Sequence, residues 1–143
     1  MAITQGMANS FKVQLLNATQ NFSADTFKLA LYTSSATLGE TTTAYSATNE
    51  CPSTGNYTAG GNTLTVNVTP TNTGNVAYVS FANTSWTNAT ITANGALIYN
   101  STRANAAVAI LAFGGDKTST NGTFAVNFPT ADASTAIIRL TAS

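Results

Sequence analysis

The chain contains no histidine, a single cysteine, three prolines and only ten charged residues among 143. Without an imidazole there is no imidazole base, no Ser-His or Cys-His pair, and no His-based metal site. The one cysteine, Cys51, excludes an intrachain disulfide. Charged residues make up 7% of the chain, against ~25% in an ordinary soluble domain. Five Lys/Arg balance five Asp/Glu, so the net charge is zero. Such a surface does not attract polyanions, which argues against nucleic acid and against anionic membrane as partners. The longest apolar stretch, Ala104 to Phe113, is interrupted by Asn105 and falls short of the ~20 residues a spanning helix needs. The opening residues, MAITQGMANS, have neither a basic region nor an apolar core of signal-peptide length, which predicts synthesis in a cytosol.

Threonine (27), asparagine (16) and serine (12) fill the space that charge leaves. Eight Asn-x-Ser/Thr triplets, the first at Asn17 and the last at Asn121, follow from that composition and are not read as glycosylation sites. Hydrophobic residues make up 43% and aromatics 9%, enough for a core, so this is not a disordered polar tract. The length suits a single domain, 1–143, with no internal repeat.

Periodicity divides the chain. Met7, Phe11, Leu15 and Ala18 recur at steps of four, four and three, which predicts a short helix over 10–20 behind an N-terminal arm, 1–9. From residue 25 onward the period is two. Phe27, Leu29 and Leu31 alternate with Lys28, Ala30 and Tyr32, and Leu64, Val66 and Val68 alternate with Thr65, Asn67 and Thr69. Further β-type runs cover 76–81, 96–99, 107–113, 123–128 and 136–141, with a weaker one over 87–92. Seven or eight short strands separated by polar turns predict a mainly β fold, an antiparallel β-sandwich of jelly-roll-like type. Asn94-Gly95, Gly114-Gly115-Asp116 and Asn121-Gly122 read as tight turns, and 34–62 as a long polar loop of the kind usually tied to function.

No constellation carries chemistry. Asp25, Glu40, Glu50, Asp116 and Asp132 are scattered, and only Glu40 and Glu50 share a loop. A glycosidase would need two carboxylates facing each other across a bond. Cys51 has no base to activate it. No phosphate-binding glycine loop, calcium loop or cofactor motif is present. The expectation is a protein that is not an enzyme and has no metal or cofactor. Short Thr and Ser side chains cost little entropy to immobilise, and edge strands with few charges need closing, covering or pairing. Both features predict a surface packed against copies of itself or a large partner.

Several stretches resemble a family of small virion proteins of tailed double-stranded DNA bacteriophages. They are Asp25-Thr26-Phe27-Lys28-Leu29-Ala30-Leu31-Tyr32-Thr33-Ser34-Ser35-Ala36-Thr37-Leu38-Gly39, Tyr57-Thr58-Ala59-Gly60-Gly61, Gly95-Ala96-Leu97-Ile98-Tyr99-Asn100, Phe113-Gly114-Gly115-Asp116-Lys117, and Phe128-Pro129-Thr130-Ala131-Asp132-Ala133 leading into Ile137-Ile138-Arg139. The order of the motifs, from the Phe11 helix onward, carries the resemblance. It implies a capsid cement or decoration protein on the outer surface of the head, a homotrimer bound to the major capsid protein where capsomers meet. A tail-fibre or receptor- and glycan-binding module is the alternative. Within the first reading, Ile3 and Met7 of the arm and Tyr45 and Tyr57 of the loop are the expected contact residues. Cys51 departs from the family pattern and, in an exposed loop, would be a possible intermolecular thiol. Contacts made with so few charges should also depend little on salt.

Overall fold

Residues 2–141 are described by a computed structural model, so Met1 of the expected arm lies outside them. Gly6–Met7 forms strand β1, and Asn9–Leu16 forms helix α1. The helix buries Phe11 and leaves Val13 and Leu16 exposed. It stops earlier than its periodicity predicts because Asn17 leaves the helical region and Ala18 takes a left-handed φ of 61°. The remaining strands are β2 (Phe27–Tyr32), β3 (Asn62–Thr63), β4 (Val66–Thr73), β5 (Val76–Phe81), β6 (Thr84–Asn100), β7 (Ala106–Val126) and β8 (Ile138–Thr141).

The expected mainly β, antiparallel architecture is what the chain adopts. One sheet has the order β1-β7-β6-β2-β3 and the other β4-β5-β8. A chain of aromatic rings links them. Phe22 stacks on Phe27 at 4.5 Å, Phe27 meets Phe81 across the sheets at 5.8 Å, and Phe81 meets Phe128 at 5.8 Å. Phe11 closes the end of this core with an edge-on contact to Phe22. Burying such rings stabilises the fold by roughly 1.5–3 kcal/mol each.

The long hairpin of β6 and β7 is the main departure from the expected pattern of short strands. The runs 87–92 and 96–99 belong to one strand, and 107–113 and 123–128 largely to its partner. Asn94-Gly95, Gly114-Gly115-Asp116 and Asn121-Gly122 are bulges inside this ladder rather than turns. The register shifts between Ala93 and Gly95, between Ala89 and Ile91, and at two further points. Positive φ at Asn88, Gly114, Gly115 and Asn121 provides the extra residues that coil a strand without ending it. The real reversal lies at 101–105, where Ala104 and Asn105 both have positive φ.

The N-terminal segment is docked on its own domain. Gly6 and Met7 pair with Ile110 and Ala109 of β7. Ile3 bridges Leu38, and the Asn9 N–H donates to the Glu40 carbonyl at 2.7 Å. Ile3 also lies beside Gly95, where any side chain would collide with it.

Candidate functional site

The long loop after β2 folds around one carboxylate. Glu50 is placed by an isolated bridge to Tyr32. Its Oε1 accepts hydrogen bonds from the Tyr57 hydroxyl (2.7 Å) and the Gly60 N–H (2.6 Å), and its Oε2 accepts one from the Tyr45 hydroxyl (2.6 Å). Tyr99 donates to the Gly60 carbonyl at 2.7 Å and stacks on Tyr45 at 4.7 Å. The Tyr57 hydroxyl in turn accepts the Leu31 N–H at 3.0 Å, tying the loop to β2. Gly61, at a φ of 78°, passes so close to the Leu29 carbonyl that a Cβ would fall on it. Burial, with the Glu50 charge adding to it, pushes the Tyr45 and Tyr57 hydroxyls well above the usual tyrosine value, although the Leu31 N–H works against this at Tyr57. Three donors from its own chain hold the Glu50 carboxylate, which makes it a structural hub for the loop.

The expected contact residues fall inside the fold. Tyr57 is buried and packs edge-on against Trp86 at 5.3 Å. Tyr45 is half-buried, with its hydroxyl on Glu50 and its ring on Tyr99. Ile3 and Met7 are half-buried against the core. Tyr57, 1% exposed, has almost no surface to offer, which corrects the expectation that it anchors a neighbour, whereas Ile3, Met7 and Tyr45 combine internal partners with a partly exposed surface. The structure also corrects the reading of Cys51 as an exposed thiol. Cys51 is 2% exposed, its N–H donates to the Leu31 carbonyl, and its Sγ lies 3.3 Å from the Thr92 carbonyl. Burial first, then the charges of Glu50 and Asp116, push the thiol up to about 12. A buried, neutral thiol does not bridge between copies.

The other carboxylates are held locally. Asp25 pairs with Arg103 at 2.9 Å and accepts from Asn100 at 2.9 Å. Burial opposes ionisation of Asp25, but hydrogen bonds from Arg103, Asn100 and Asn21 outweigh it and lower its pKa. The Asp132 carboxylate caps its own turn by accepting the Ser134 and Thr135 N–H groups, which lowers its pKa too. Asp116 accepts from Asn94 at 3.0 Å across the largest bulge. Among the described residues no group of His, Cys, Asp or Glu could hold a metal ion, and no helix is long and apolar enough to cross a membrane.

Periodicity did not point to a groove of about 510 Å³ beside the far half of β7. Its walls include Phe113, Phe124, Phe128 and Ile137, with Gln5 and Lys117 among its polar residues. In comparisons with known proteins the chain matches no family model, no curated protein and no solved structure.

Proposed function

We propose that this chain is a structural virion protein, a capsid cement or decoration protein that seats on the outer surface of a phage head and binds the major capsid protein as a homotrimer. The observation that supports it most is how the few charges are used. Asp25 and Arg103 pair with each other, Glu50 holds its own loop, and Asp116 and Asp132 bond within the chain. The exposed surface is left mainly to short Thr, Asn, Ser and Ala side chains, which can be packed against a neighbour at low entropic cost. Glu50, the carboxylate in the tyrosine cluster, accepts three hydrogen bonds from its own chain, which supports a structural role for that cluster.

In this reading the protein acts by linkage. It binds capsomers as they sit in the mature lattice and not separated capsomers, so each bound copy stabilises the lattice by RT ln(1 + [L]/Kd). Weak copies repeated around the shell, and joined as trimers, add through effective concentration. A neutral surface lets many copies crowd together without mutual repulsion.

The test is co-sedimentation with intact, expanded heads of the encoding phage. The expected result is saturation at a fixed, high copy number, a higher temperature of head rupture, and retention at high salt. A protein present in a few copies per particle, binding cells or glycans and not heads, would instead be a fibre or receptor module.

A further inference from the structure

The groove beside β7 differs from an ordinary surface depression in what lines it. Successive residues of a strand point to opposite faces, so a groove on one face would show every second residue. This groove is lined by the unbroken run 123–129. It therefore follows the edge of the sheet and exposes backbone as well as side chains. On the inner side of that run the ladder to β6 is regular, with Trp86, Ser85 and Thr84 opposite Phe124, Ala125 and Val126. On the outer side no strand among the described residues pairs with it, because β1 reaches only Ala109 and Ile110.

The chain's own N-terminus shows what this edge accepts. Strand β1 adds antiparallel to the same side of β7, and the Gln5 side chain then takes the Ala112 N–H at 3.2 Å. Gln5 is also part of the groove wall. The groove thus begins where an internal strand addition ends. Phe124, Phe128 and Ile137 provide apolar wall, and Lys117 has no ion-pair partner among the described residues.

We infer that the groove binds an extended segment of a partner protein by strand addition to residues 123–126 of β7. The segment carries apolar side chains at alternate positions and one acidic side chain that meets Lys117. A free edge presents backbone donors and acceptors that a hydrocarbon chain would leave unpaired and that a peptide backbone satisfies. The lone cation selects an acidic residue over a basic one. This inference stands on the groove and holds whether or not the partner is a capsid shell.

The test uses the full chain against short random peptides displayed on beads. Captured peptides should be enriched in alternating apolar residues with an Asp or Glu. Ala125→Arg places a long charged side chain on the exposed face of this strand, beside the side chains an added strand would bring, and should cut capture by about tenfold or more with an unchanged melting temperature. Lys117→Glu should shift the enrichment from acidic to basic peptides. The best captured peptide should slow hydrogen exchange of the 123–126 amides. No enrichment, or enrichment that survives Ala125→Arg, would overturn the inference. A concentration-dependent dimer that Ala125→Arg abolishes would overturn the choice of partner, since the edge would then belong to a second copy.

Discussion

The two halves of the β6–β7 hairpin are built from the same two strands and end up in opposite states. In the half near the turn, Gly95–Asn100 is flanked by β2 over its whole length, and Ala109 and Ile110 are flanked by β1. Every residue from Gly95 to Asn100 is buried there. In the far half, β6 is covered by the loop carrying Gly55, whose Cβ position coincides with the Asn88 carbonyl, while among the described residues no strand pairs with the outer side of β7. A ladder closed on both sides is a core element, and the same ladder with one flank open is a surface that still holds the rigidity of the core. Four irregularities separate and coil the two halves. Bulges and covering loops protect much of this chain's edge in place of charge. Low charge alone therefore does not demand a partner, and the edges left open are one stretch of β7 and the outer strands β1, β3, β4 and β8.

The comparison breaks most visibly at the aromatic core. Phe27→Ala should cost about 3–5 kcal/mol, while Ala125→Arg on the open edge should stay within about 0.5 kcal/mol. Urea unfolding of the two variants measures both, and equal losses would erase the distinction. Next in size is the hub of the loop. Glu50→Ala leaves two tyrosine hydroxyls and the Gly60 N–H without their acceptor and should cost about 1–3 kcal/mol. Glu50→Gln, which keeps the shape and one carbonyl oxygen, should cost less in the same melt.

Alkali should act through the same cluster. The pKa values of Tyr45 and Tyr57 are raised in the folded chain above the usual 10.0. Their stabilising contribution is therefore complete below pH 10 and falls as pH rises past it, because the unfolded chain ionises first. Absorbance at 295 nm from these residues should rise only together with loss of the β circular dichroism signal. At the acid end the sign reverses. Asp25 is held below its ordinary 3.8 by Arg103, Asn100 and Asn21 in spite of burial, so its contribution is lost as pH falls below about 4. Asp25→Asn should flatten that acid limb of a stability profile while leaving the alkaline limb unchanged. The smallest effect belongs to Lys117→Glu, which should leave the melting temperature within a degree or two, about 0.5 kcal/mol, and change only what the groove captures.

Much of the β class was legible because the runs at 27–32 and 76–81 form β2 and β5, although β2 is buried on both faces and shows no alternation of burial. Helix α1 was legible from the spacing of Phe11 and Leu15, and its end was not, because a left-handed Ala18 carries no sequence signal. The hairpin was misread for a physical reason. Asn-Gly and Gly-Gly supply the positive φ of a turn and of a bulge alike, and only the partner strand decides which forms. The sites of Cys51 and Tyr57 were hidden for a related reason. They lie in a stretch too polar to look like core, and their burial comes from contacts with residues such as Thr92 and Trp86, more than 25 positions away. The open edge was not legible at all, since unpaired backbone has no residue-type signature.

The most direct measurement is hydrogen exchange on the full chain, free in solution and mounted on expanded heads. The account predicts that the amides of 95–100 are slow in both states, and that those of 123–126 are fast in the free protein and protected on the head. Protection confined to other surfaces, with 123–126 exchanging equally in both states, would contradict it.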